Sequence, residues 1–209
     1  MFARIFPALL FVASATQAQV PRVFAEGTDF VRMGKTMPVS TGEQIEVIEF
    51  FSYACIHCAE IDPHLARWKA TSKPENVKLV YMPAVFSAEW EIAARAFFAS
   101  ELMGTLEQTH KATFDTRFIE RKPLANIEAY ADLYASKGVD RAKFLATAKS
   151  FGVNTKIARS KKLALEFDVS VTPTVVIDGK YKLIVKGFGE VPELINFVAA
   201  KAAAERGSP

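Results

Sequence analysis

The sequence predicts an α/β protein: a helix-covered sheet assembled from two separated stretches of chain, with an all-helical insertion between them. Three observations carry that expectation. A strand-like run, a helical run and a second strand-like run follow one another between Gln44 and Met82. From about Ser87 to Asp168 the apolar residues recur only at helical spacings. Strand character then returns at Thr174.

The first element is Gln44 to Phe51, dense in β-branched and aromatic residues and apolar on both faces in its second half. Two-sided burial belongs to a central strand covered by helices. From Ile56 to about Thr71 the chain turns helical, with Ile61, Leu65 and Trp68 on one stripe and Pro63 as a point of local kinking. Val77 to Met82 is a second strand, stopped by Pro83. Strand, helix, strand in that order favours a parallel pair with a right-handed crossover.

The helical stretch carries several apolar faces. Ile92, Ala96 and Phe97 form one, Leu106, His110, Thr113 and Phe114 another, and Ile127, Tyr130, Ala131 and Tyr134 a third. Asp140 reads as an N-cap before Phe144, Ala148 and Phe151, and a last helix runs from about Asn154, after Gly152, to Phe167. Thr174–Ile177 and Lys182–Val185 then flank Asp178-Gly179, a dipeptide that favours a tight hairpin. A final helix runs from Pro192 to about Ala204. The expected organisation is a sheet domain at 19–86 and 169–209 and a helical domain at 87–168, with a cleft beside the sheet.

Half of the 209 residues are apolar and 23% are charged. That composition fits a globular chain and excludes collagen-like and low-complexity classes. The net charge of +3 is spread without a basic block, so no footprint for nucleic acid is present.

The N-terminus reads as a secretory signal over residues 1–18: Arg4, an apolar run from Ile5 to Ala15, then small residues ending at Ala18. The run is shorter than the roughly 20 apolar residues that span a bilayer. A buried N-terminal helix is the competing reading. The signal predicts a soluble, exported protein.

Two cysteines, Cys55 and Cys58, sit in one tetrapeptide with Ile56 and His57 between them. A disulfide closing so short a loop stabilises by only about 2 kcal/mol, against about 3 for a fifteen-residue loop. The pair makes better sense as chemistry than as reinforcement. At the start of a helix, Cys55 faces unpaired backbone N–H groups and the positive end of the dipole, which favour its thiolate. His57 adds a second favourable charge when protonated. Cys58 lies deeper, as the resolving thiol. Zinc is the alternative, but Cys55, His57 and Cys58 crowd one turn, unlike the spread ligands of structural sites. No metal and no cofactor is expected. His110 reads as a packing histidine.

Glu49, six residues before Cys55, is either a buried acid that takes the proton from Cys58 or a strand-end glutamate reaching solvent. Pro173 after Thr172 opens the later strand, where proline is tolerated. Its position alone argues for a trans bond.

These residues resemble the DsbA family of thiol–disulfide oxidoreductases, on a thioredoxin-like fold with an inserted helical domain. The likeness rests on Val47 to Tyr53 leading into Cys55-Ile56-His57-Cys58, the long helical segment, Val171-Thr172-Pro173, and Asp178 to Tyr181. It implies Cys55 as nucleophile, Cys58 as resolving thiol, His57 as thiolate stabiliser, Glu49 as buried acid, and Thr172-Pro173 as a cis-proline loop facing the dithiol. The family's best-known member is the reference case of a low-pKa, strongly oxidising dithiol. Three departures stand out: Ile56 where proline is usual and a tuner of redox poise, Tyr81 where some members carry lysine, and Thr172 in place of valine.

The expected function is a periplasmic oxidase that donates the Cys55–Cys58 disulfide to unfolded, newly exported proteins with free cysteines. A DsbB-like, quinone-linked membrane oxidase is the partner implied for its re-oxidation. No feature demands an oligomer, so a monomer is expected. The competing readings are a periplasmic reductase or isomerase, and a chaperone-like peptide binder. About 25 residues precede the first strong strand after cleavage, too few for the separate dimerisation domain of the family's isomerases.

Overall fold

The computed structural model describes residues 23–207; the expected signal at 1–18 lies outside them. Five strands form one mixed sheet: β1 (Phe30–Arg32), β2 (Ile45–Phe51), β3 (Val77–Pro83), β4 (Thr174–Ile177) and β5 (Tyr181–Leu183), in the order β1-β5-β4-β2-β3. Helix α1 (Ile56–Thr71) connects β2 to β3, which run parallel, so the strand–helix–strand unit is present. The other pairings are antiparallel. Helix α1 continues through Pro63 without a break.

All seven residues of β2 are buried, as two-sided coverage requires. Ile45 and Val47, with Val175 and Ile177 of β4, pack against Ile61, Leu65 and Trp68 of α1. The last helix, α7 (Val191–Arg206), closes that face with Leu194, Ile195 and Val198. On the opposite face, Ile48, Phe50 and Val176 pack against Phe97, Phe144 and Phe167. The period of two along β2 thus divides the core into two halves. Each fully buried large side chain contributes on the order of 1.5–3 kcal/mol.

Between β3 and β4 lie α2 (Ala88–Met103), α3 (Leu106–Phe114), a π-helical turn (Asp115–Ile119), α4 (Ile127–Ala135), α5 (Arg141–Ala148) and α6 (Phe151–Glu166). Ser87, Asn126, Asp140 and Ser150 each cap a helix by accepting a first-turn N–H. Such a cap contributes typically about 1 kcal/mol. Ser150 explains one departure from expectation: α6 begins at Phe151 rather than Asn154, and Gly152 sits inside its first turn. Helix α7 likewise starts one residue before Pro192.

The hairpin between β4 and β5 turns at Asp178 and Gly179, both in the left-handed region. Its loop has three residues, with Ile177 opposite Tyr181, so β5 begins one residue ahead of the expected Lys182. A Cβ on Gly179 would lie 2.1 Å from the Met37 carbonyl oxygen, so only glycine fits. Strand β1 has no signature in the sequence, because three residues carry too little pattern.

Candidate active site

Strand β2 delivers the chain to a tight turn at its C-terminal end. The Ser52 hydroxyl accepts from Ala54 N–H at 3.1 Å, and Cys55 N–H donates to the Ser52 carbonyl at 3.1 Å. This turn leaves Cys55 as the N-cap of α1, with extended backbone and no side-chain cap bond. A sulfur therefore occupies the position where an oxygen usually receives the first N–H groups. The first turn of α1 holds no acidic residue to repel an anion there.

The thiols are free, Cys55 half-exposed and Cys58 wholly buried. Cys55 is lowered from 9.0 to about 5. The largest cause is the hydrogen bond from the Cys58 thiol, followed on the favourable side by Thr172 and the backbone N–H groups of Cys58 and His57; partial burial opposes them. Cys58 moves upward, first through burial, then through the same bond to Cys55 and the charge of Glu49. One sulfur is disposed to ionise and its neighbour to stay protonated.

His57 stands apart from this arrangement. Its imidazole is mostly exposed, with Nδ1 2.8 Å from Glu60 Oε2. Its upward shift comes first from Glu60, and the Cys55 charge is the smallest contributor. The backbone N–H of His57 supports the thiolate directly, while its ring faces outward. Ile56, also in the tetrapeptide, leaves an apolar side chain exposed beside Cys55.

The Thr172–Pro173 bond is cis. In the thiol form Cys55 S–H donates to the Thr172 carbonyl at 3.4 Å, across 117 residues of sequence. The loop before β4 thus lies against the start of α1, bringing the two ends of the sheet domain together at the sulfur.

Glu49 is 2% exposed on β2, opposite Tyr81 of β3 and Val175 of β4. The solvent-reaching alternative does not occur. Burial pushes its carboxyl well above the usual range, and the charges of Asp62 and Cys55 push further in the same direction. No cation appears among these influences. Tyr81 brings a phenol, itself raised by burial and by Glu49.

Sequence reasoning missed Asp62. It lies one helical turn beyond Cys58 and is buried, with Oδ1 3.0 Å from His110 Nε2 of α3. His110 Nδ1 in turn lies 2.9 Å from the Tyr53 hydroxyl. The i, i+4 spacing from Cys58 to Asp62 was the available signal. His110 is packed, as expected, and also fully engaged.

A half-exposed, ionisable sulfur capping a helix, a buried partner thiol and a cis-proline loop define a thioredoxin-type dithiol–disulfide protein. The chain matches the model of the DSBA-like thioredoxin domain over residues 46–195 and belongs to that family. It is 35% identical over 173 residues to the thiol:disulfide interchange protein DsbA of Pseudomonas aeruginosa, covering 83% of this chain and 82% of that one. The crystal structure of Pseudomonas aeruginosa DsbA superposes with a TM-score of 0.82 at 34% identity, covering 88% of this chain and 97% of that one. The oxidoreductase DsbA of Xylella fastidiosa gives 0.79 at 28% identity, covering 88% and 100%.

Proposed function

We propose that this chain is a dithiol oxidase that passes its Cys55–Cys58 disulfide to exported proteins in the periplasm. A substrate thiolate attacks Cys55, the more exposed sulfur, and Cys58 leaves. Because Cys58 is strongly disfavoured as an anion, it needs a proton, and protonated Glu49 is the buried acid able to supply one. A second substrate thiolate then attacks the substrate sulfur of the mixed disulfide. A substrate disulfide forms, and Cys55 leaves as a thiolate, carrying the electrons into the enzyme.

The single observation that carries this reading is the lowering of Cys55 to about 5. A stable thiolate is a good leaving group and favours the reduced enzyme, so the disulfide is oxidising. Thr172 and Pro173 flank the sulfur where an extended substrate segment would pair with the backbone. Exposed Ile56 and Val171 offer apolar contact beside them. Re-oxidation falls to a DsbB-like membrane oxidase that passes electrons to quinone, and the working unit is a monomer. Export by a signal at 1–18 accords with this site of action.

The test is to mix the oxidised protein with a reduced, unfolded protein carrying free thiols. Disulfides should form in the substrate in step with reduction of Cys55–Cys58, and Cys55→Ser should abolish the transfer. Reshuffling of scrambled disulfides without net oxidation would favour an isomerase instead. Binding that survives Cys55→Ser, with no transfer by the unaltered protein, would favour a peptide binder.

A further inference from the structure

The tetrapeptide between the two sulfurs holds one side chain able to carry positive charge, and the structure pairs it with a carboxylate. His57 stands in the first turn of α1, where a protonated ring turned to Cys55 would favour the thiolate. Glu60 follows three residues on, at a spacing that shares one helix face, and its Oε2 lies 2.8 Å from His57 Nδ1. A carboxylate only accepts, so Nδ1 carries the proton of that bond. The short turn Phe188–Glu190 packs against α1 and sets the Phe188 ring 6.1 Å from the imidazole. Phe188 is itself packed against the half of the core between α1 and α7. One carboxylate and one anchored ring thus hold the imidazole.

The charges that act on His57 are those of Glu60 and Cys55, with Glu60 the larger. Glu190 of the facing turn is not among them, and Lys186, just before that turn, is taken by Asp29 at 3.1 Å. The His57 side chain is 62% exposed and that of Glu60 49%, so either can be replaced without opening the core.

We propose that Glu60 is a positioning residue that sets redox poise: by holding and neutralising the His57 imidazole it withholds a positive charge from the Cys55 thiolate. The dithiol is then a weaker oxidant than its tetrapeptide alone would make it. The inference rests on the dithiol reading above and concerns how oxidising that pair is. In exchange with glutathione, the oxidised protein and two glutathione thiols give the reduced protein and glutathione disulfide. Two electrons and two protons pass to Cys55 and Cys58, and one proton leaves again as Cys55 ionises. Whatever steadies that anion draws the exchange toward the reduced protein. Glu60 acts against this through His57, while the backbone N–H groups of the helix start continue to support the sulfur.

The test is the glutathione equilibrium of the unaltered protein, Glu60→Ala, His57→Ala and the double variant, at pH 6 and pH 8 and low ionic strength. At pH 6 Glu60→Ala should move the equilibrium about two- to fivefold toward the reduced protein, the scale of an exposed charge pair. The Cys55 half-ionisation should fall with it, by roughly 0.3–0.7 pH unit. At pH 8 both differences should shrink, because a freed imidazole near its ordinary 6.5 is neutral there. In the His57→Ala background Glu60→Ala should change little. No shift at pH 6, a shift toward the oxidised protein, a shift undiminished at pH 8, or the same shift without the His57 ring would overturn the proposal. An unaltered protein that exchanges no disulfide with glutathione would instead overturn the dithiol reading itself.

Discussion

Cys58 is wholly buried and directs its thiol hydrogen bond at the sulfur of Cys55, three residues earlier at the helix start. The same contact lowers one thiol and raises the other. Two chemically identical groups are thereby separated into an outer nucleophile and an inner thiol that needs an acid–base partner. The separation depends on the turn at Ser52, which places Cys55 at the cap and leaves Cys58 facing the core.

The thiolate should make the reduced protein more stable than the oxidised one, because a disulfide cannot collect the same hydrogen bonds. Cys55 goes from 9.0 to about 5 on folding. Between those values the unfolded reduced chain binds the extra proton, so stability rises with pH. The advantage of the reduced form is full near pH 9, shrinks as pH falls, and is gone below about pH 5. Above pH 9 it declines again, because folded Cys58 resists ionising. Denaturant midpoints of both redox forms across this range check the profile; equal midpoints at pH 8 would contradict it.

Removing the Cys58 thiol should matter more to Cys55 than removing the His57 ring. A hydrogen bond to a charged group contributes about 1.5–3 kcal/mol, so Cys58→Ala should move the Cys55 ionisation upward by about one to two pH units. His57→Ala keeps the backbone N–H and removes a ring already turned to Glu60, so its effect should be smaller. Alkylation rates of Cys55 against pH compare the two variants directly.

Glu49→Gln should trade stability against rate. A carboxyl raised by folding holds its proton more tightly in the folded state, so stability falls as pH rises through the shifted range. Glutamine removes that loss, and the variant should have the higher denaturant midpoint at pH 8. Exchange through Cys58 should slow roughly 10- to 100-fold. A variant with unchanged exchange would show that Glu49 handles no proton.

Much of this was legible in the chain because local signals agreed with tertiary demands. The span Ile56–Thr71 carried its apolar stripe, and the two cysteines marked its start. Strand β2 announced burial on both faces by composition. What stayed hidden depends on distant partners. The three residues of β1 become a strand only by pairing with β5, and the Asp62–His110 contact joins positions 48 residues apart. Glu49 was ambiguous for the same reason: its burial is decided by α1 and β3, not by its neighbours in sequence. At α6, Gly152 looks like a break in the sequence pattern, but the Ser150 cap starts the helix just ahead of it.

Gly179→Ala should destabilise the fold by about 1–3 kcal/mol, since a left-handed residue would gain a Cβ against the Met37 backbone. The thermal midpoint should fall while the Cys55 titration stays in place. A neutral substitution would mean that the segment before β2 yields easily.

The most direct test is titration of the Cys55 thiolate in the reduced protein, followed by its ultraviolet absorbance. The structure calls for half-ionisation near pH 5. Ionisation near the ordinary thiol value of 9.0 would leave the disulfide without its oxidising drive, and the account of electron transfer would not stand.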